Sequence, residues 1–160
     1  MNKYIEELRH YHSRNSKLLD QLSDTVKRYQ NSKDKNQKSR MFDIVRQIHD
    51  IDEPVHHANE EIIREELIQA NVHLHPSIQM LQRDHEGFAR IVHRLFDLEK
   101  SRLPAVQICE HIQNYITNYF DHMDCEENFF FPMAEKHLSD VQWTHVAQKW
   151  HVTATRQVSG

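Results

Sequence analysis

The chain has 160 residues, a formal net charge of −4 from 20 basic and 24 acidic side chains, fourteen histidines and only two glycines, Gly87 and Gly160. That length suits one domain with a core of its own. Glycine poverty excludes phosphate-cradling loops and dinucleotide fingerprints and argues against sheet folds rich in tight turns, while the absence of any basic block or long apolar run speaks against nucleic-acid binding and membrane insertion.

Apolar spacing predicts four long helices and a short fifth. The first covers about residues 2–29, with the seam Ile5, Leu8, His12, Asn15, Leu19, Leu22, Val26 and Tyr29 advancing in steps of three and four. Its amphipathic start does not read as a signal peptide. Residues 31–38 are polar and read as a turn. The second helix carries a stripe of Met41, Ile44, Ile48, Ile51, Val55, Ala58 and Ile62. Beside it runs another seam, Val45, His49, Asp52, His56, Glu60, Ile63 and Leu67. Pro54 lies within both and is expected to kink the helix, because it lacks a backbone donor.

After a break at residues 71–75, Pro76 opens a third helix with the seam Ile78, Leu81, His85, Phe88, Val92 and Leu95. Pro104 opens the fourth, with Ile108, Ile112, Tyr115, Tyr119, His122, Glu126, Phe130 and Met133, and Pro132 bends its last turn. Cys109 and Cys125 stand on this helix about 24 Å apart along its axis, too far to bridge, so a reducing, cytoplasmic setting is expected. Ser139 is placed to cap a closing helix over about residues 140–151, in which Trp143, Val146, Ala147 and Trp150 share a face. Short connections favour an all-α, up-down-up-down four-helix bundle over about residues 2–138, the whole chain 1–160 forming one domain.

Polar residues on the seams mark the candidate site. His12, His56, His85 and His122 each fall on the core-facing seam of a different helix. Glu60 and Glu126 follow His56 and His122 by four residues, hence on the same helical faces. From the helix rise, His12 and His85 lie about 13 Å from one bundle end, the His56–Glu60 midpoint about 18 Å and the His122–Glu126 midpoint about 21 Å. Six donors therefore converge within about two turns. Two buried carboxylates repel unless protonated or held by a cation, so the set reads as a metal site, and six donors suggest two ions. Imidazoles with carboxylates suit iron, manganese, zinc or copper; a closed structural zinc would need only four ligands.

The stretches HHANEE (56–61), RDHE (83–86) and YFDHMDCEENFFFPMAEKHLSDVQW (119–143) resemble the hemerythrin-like HHE cation-binding domain, with the last stretch closest to its bacterial branch. His12, six residues before Leu18-Leu19-Asp20, is similar to that family's first-helix histidine. The resemblance spans essentially the whole chain. It implies two iron ions in a non-heme centre, His12, His56, His85 and His122 as terminal ligands, and Glu60 and Glu126 as bridges. His10 competes with His12, and the pair His57 and Glu61 competes with His56 and Glu60; the seams favour His12 and the His56–Glu60 pair. The oxygen-carrying members have a further histidine one turn after the third-helix histidine, where this chain has Ala89. They also have an aspartate five residues after the fourth-helix histidine, where this chain has Glu126 at four. A missing histidine implies an open iron position.

The expected function is binding or sensing of a small oxidant or gas (dioxygen, nitric oxide or peroxide). A di-iron enzyme acting on peroxide, nitric oxide or damaged iron centres, or a structural metal-stabilised bundle, are the alternatives. Among lesser features, His49 is a candidate helper, Asp52 a candidate partner for the His56 ring, and Tyr115 and Tyr119 candidate site-lining residues. Phe129, Phe130 and Phe131 are expected to seal the bundle end, Cys125 to be buried and inert, and His73 with His75 to form at most an adventitious site.

Overall fold

The first helix, α1 (Lys3–Ser32), is capped by Asn2, whose side chain accepts from the Tyr4 N–H, and every residue of its predicted seam is buried. Residues 1–73 and 75–152 are described in the computed structural model, with the side chains of Asp52 and Ser77 left aside. The described residues are helical wherever they are regular. The connection after α1 is much shorter than residues 31–38. Lys33 closes α1 in the left-handed region (φ 54°), and Asp34 at once caps α2 (Lys35–Arg46) through the Asn36 N–H.

The chain then continues through a π-helical turn, Gln47–Asp52, into α3 (Glu53–Gln69). After α3 come a single turn, α4 (Pro76–Gln79), and the long α5 (Leu81–Glu99). The last long run is α6 (Ala105–Cys125), a second π turn (Glu126–Phe130) and α7 (Phe131–His137). A capping box of Ser139 and Gln142 starts α8 (Asp140–Lys149), at the expected place.

The two π turns are how the long helices absorb their prolines. Proline offers no N–H, and its ring crowds the carbonyl four residues back. One widened turn relieves that crowding without breaking the helix. Each π turn ends two residues before a proline, at Asp52 before Pro54 and at Phe130 before Pro132. The Glu53 N–H reaches back five residues to the Ile48 carbonyl, and the Phe131 N–H reaches the Glu126 carbonyl in the same way. The extra residue also shifts the helix phase. Ile51, predicted to be apolar core, is 64 % exposed, and Glu53 turns inward to 3 %. In the second case Phe130 and Phe131 are buried, whereas Phe129, expected to seal the bundle end, is 47 % exposed and stacks on His75.

α1 packs on α2 and α6, and α5 packs on the same two helices. The buried apolar residues form two clusters. One holds Leu19, Leu22, Met41, Ile48, Phe88, Val92, Ile112 and Tyr115. The other holds Ile5, Leu8, Ile63, Leu67, Ile78, Leu81, Phe130 and Phe131. Each long run crosses from one cluster to the other, and the predicted ligand positions occupy the crossing: His12 on α1, His56 and Glu60 on α3, His85 on α5, and Glu126 after α6. α8 sits on α3, with Trp143, Val146 and Trp150 inward and Ala147 exposed, so the expected face lacks its alanine. No helix among the described residues is long and apolar enough to cross a membrane.

Gly87 lies within α5 without a positive φ, and a Cβ built there meets only the Arg90 Nη2, at 3.9 Å. Nothing at this position requires glycine, which costs a helix interior up to about 1 kcal/mol against alanine. Gly87→Ala is expected to raise unfolding free energy by up to that amount in urea denaturation; a destabilised variant would contradict this packing.

Candidate metal centre

Seven side chains meet between the apolar clusters. Two groups have ligand atoms all within 4.8 Å of one another: His12, His56, Glu60 and Glu126, and His57, Glu60, His85 and His122. Both glutamates serve both sides. Oε1 of Glu60 lies 2.7 Å from Nε2 of His56 and 3.8 Å from Nε2 of His12, while its Oε2 lies 3.3 Å from Nε2 of His85. Oε2 of Glu126 lies 3.1 Å from Nε2 of His12, while its Oε1 lies 2.9 Å from Nε2 of His122 and 3.7 Å from Nε2 of His85.

These inward atoms fit a cation better than they fit one another. Both oxygens of Glu60, both of Glu126, and Nε2 of His57, His85 and His122 are buried with no hydrogen-bond partner. Nε2 of His12 faces Nε2 of His56 at 3.2 Å. Buried polar atoms are ordinarily satisfied. A cluster of such unsatisfied nitrogen and carboxylate-oxygen atoms directed at common points has the chemistry of a divalent-cation site.

Behind the imidazoles stands an outer ring of carboxylates. Nδ1 of His12 is 2.8 Å from Glu127, whose other oxygen accepts from the Arg9 Nε at 3.0 Å. Nδ1 of His85 is 3.6 Å from Glu61, which Arg64 holds at 2.7 Å. Nδ1 of His122 is 3.9 Å from Asp84, and Nδ1 of His57 is 3.7 Å from Glu53, which His49 engages at 2.9 Å. A carboxylate on Nδ1 directs Nε2 inward as the donor and raises its basicity. The His56 ring instead lies flat on Tyr11, with centroids 3.7 Å apart.

Electrostatics follow from this crowding. Burial alone would lower the imidazole pKa values, but the carboxylates outweigh it at three positions. Glu126 and Glu127 push His12 up to about 9, Glu126, Glu60 and Glu61 push His85 up to about 11, and Glu126 with Asp84 pushes His122 up to about 10. His56 and His57 move the other way, lowered first by burial. Burial and mutual repulsion oppose ionisation of Glu60 and Glu126, yet the surrounding imidazoles hold both below the usual carboxylate range. Without metal, three protonated histidines supply the positive charge that two buried carboxylates need.

The hemerythrin HHE cation-binding domain family matches residues 3–134. The chain belongs to that family. Among curated proteins and among solved structures, nothing matches it. Membership in a cation-binding family agrees with the donor set, and the matched segment contains all seven side chains of the HHE-domain cluster.

The structure brings His12, His56, Glu60, His85, His122 and Glu126 together, and adds His57. The sequence treats the 56/60 and 57/61 pairs as alternatives, but His56 and His57 face different groups with Glu60 between them. The His57 ring stacks on His85 with centroids 3.7 Å apart, so a histidine of α3 stands beside the α5 histidine. Glu61 lies outside both groups, with Oε1 3.6 Å from Nδ1 of His85. His10 is exposed, and His49 lies one step behind His57 through Glu53. The expected role of Asp52 falls on a side chain outside the description. Tyr119 sits below the site, its hydroxyl 3.1 Å from that of Tyr11. Cys125 is half-buried rather than buried, and neither His73 nor His75 joins a ligand group among the described residues. The visible signal for the missed residues is the doubled His-His and Glu-Glu of 56–61, with Glu53 one turn before His57.

The pKa shifts set a pH window for the metal-free protein. Histidines raised above 6.5 contribute stability that is complete below that value and lost as pH climbs through about 9 to 11. The depressed Glu60 and Glu126 contribute stability that is lost on acidification below their usual 4.5. Thermal melts of metal-free protein are expected to peak between these windows and to fall steeply above about pH 9. A melting temperature that holds level from neutral pH into that alkaline range would refute the charge assignment.

Proposed function

We propose that this HHE-domain protein holds two iron ions in an up-down-up-down four-helix bundle and binds or senses a small oxidant or gas there: dioxygen, nitric oxide or peroxide. His12 and His56 hold one ion, His57, His85 and His122 hold the other, and Glu60 and Glu126 bridge them. Manganese or zinc would satisfy the same donor types, but redox chemistry toward such ligands favours iron. Bound iron supplies reversible electron transfer and Lewis acidity. The chain supplies a dry chamber, fixed imidazole orientation and charge balance.

The observation that carries this reading is the division of each buried carboxylate, one oxygen toward each histidine group. A single ion would leave one group and its oxygens unsatisfied. The division is also unequal. His57 makes one side three-histidine, so the open position expected from Ala89 is assigned instead to the side with two histidines.

Metal analysis with absorption spectra before and after oxidation tests the proposal. About two irons per chain and near-ultraviolet charge-transfer bands on oxidation are expected. A colourless protein with one redox-inert metal overturns it. His57→Ala is expected to lower the content toward one iron, and Glu60→Ala or Glu126→Ala to lower it to one or none. Unchanged stoichiometry in all three variants rules out the ligand assignment.

A further inference from the structure

The C-terminal segment lies beyond the family match, which ends at residue 134, and it is fastened to the helix that supplies three of the seven donors. α3 carries His56, His57 and Glu60, and thus reaches both histidine groups. Between them in sequence stands Asn59, only 2 % exposed. Its carboxamide pairs with the backbone of His151 in both directions: Nδ2 donates to the His151 carbonyl at 3.0 Å, and Oδ1 accepts from the His151 N–H at 2.9 Å. Two turns further along α3, Glu66 is 1 % exposed and meets two side chains of α8, Nδ1 of His145 and Nζ of Lys149, each at 3.4 Å. Val146 is fully buried beneath them, and Trp143 and Trp150 pack on Tyr4 of α1, with centroids 6.2 and 4.8 Å away.

We infer that α8, Trp150 and His151 form a clasp that fixes α3 and sets how long the metal stays bound, with Asn59 and Glu66 as positioning residues. The clasp cannot leave cheaply. Its departure strands a buried carboxamide and a buried carboxylate whose partners, Lys149 among them, go with it. α3 must then rotate or open to hydrate them, and such movement disperses three donors at once. The outer carboxylates orient single imidazoles, whereas this contact holds the backbone that carries three of the seven donors. The inference rests on the metal reading above, although the fastening itself exists without metal.

The test uses the full chain and two variants, Asn59→Ala and Glu66→Gln, with Leu22→Ala as a core truncation in the apolar cluster away from α3. Three quantities are read: the rate at which iron passes from loaded protein to a strong chelator, amide hydrogen exchange along α3 in metal-free protein, and tryptophan emission. The chain's two tryptophans, Trp143 and Trp150, both lie on this segment, so emission reports its docking. Both clasp variants are expected to release iron faster, on the order of tenfold, to exchange faster along α3, and to shift emission to the red. Leu22→Ala is expected to lower stability without accelerating release comparably. Unchanged release despite the emission shift, or equal acceleration in Leu22→Ala, overturns the inference. Wild-type protein that takes up no metal refutes the metal reading. Exchange along α3 then still decides the fastening, which fails if neither clasp variant accelerates it.

Discussion

Two carboxylates buried side by side in an apolar bundle set the terms for the rest of this protein. Glu60 and Glu126 are 0 % and 1 % exposed. Their repulsion and lost hydration are tolerable only if positive charge stands between them. Five imidazoles surround them, three holding protons in the absence of metal. Behind those stand Glu127, Glu61, Asp84 and Glu53, of which Glu127 and Glu61 are tied down by Arg9 and Arg64. Such a buried polar layer is weak support for a fold, because apolar side chains of similar volume often stabilise as well or better. Its presence is a statement about binding. The apolar clusters on either side keep the layer dry and strengthen every charge interaction inside it.

The backbone irregularities belong to the same design. Each π turn precedes a proline and lies where a helix passes the ligand layer. The first moves Glu53 into the core behind His57. The second begins at Glu126 itself and brings Phe131 against the His12 ring, with centroids 5.2 Å apart. An ordinary helix through either region would present different side chains to the centre, since one added residue turns the face by about 100°. The first π turn thus phases His56, His57 and Glu60 on α3, and the second phases Phe130 and Phe131 after Glu126.

Much of this architecture was legible in the residues. Long helices and glycine poverty express one fact, as few turns need few glycines. The seam of α1 was read correctly along its whole length because no proline interrupts it. The stripe through Ile51 failed, because it was counted across Pro54 as unbroken helix. Family membership was legible from the 119–143 stretch. The resemblance also implied a missing histidine at Ala89; it did not point to His57, which stacks on His85 from another helix.

Sequence periodicity assigned most of the inward-facing side chains, Ile51 and Glu53 apart, and so it found one histidine per long helix and the two glutamates. It could not assign partners. Neighbouring residues such as His56 and His57 diverge by about 100° on a helix, and a single seam can claim only one of them. That both face the centre, toward different groups, depends on where α1, α5 and α6 stand around α3. The outer carboxylates and the clasp at Asn59 and Glu66 depend in the same way on helix register. Charge compensation between distant residues is decided by distance, and only the folded arrangement sets that distance.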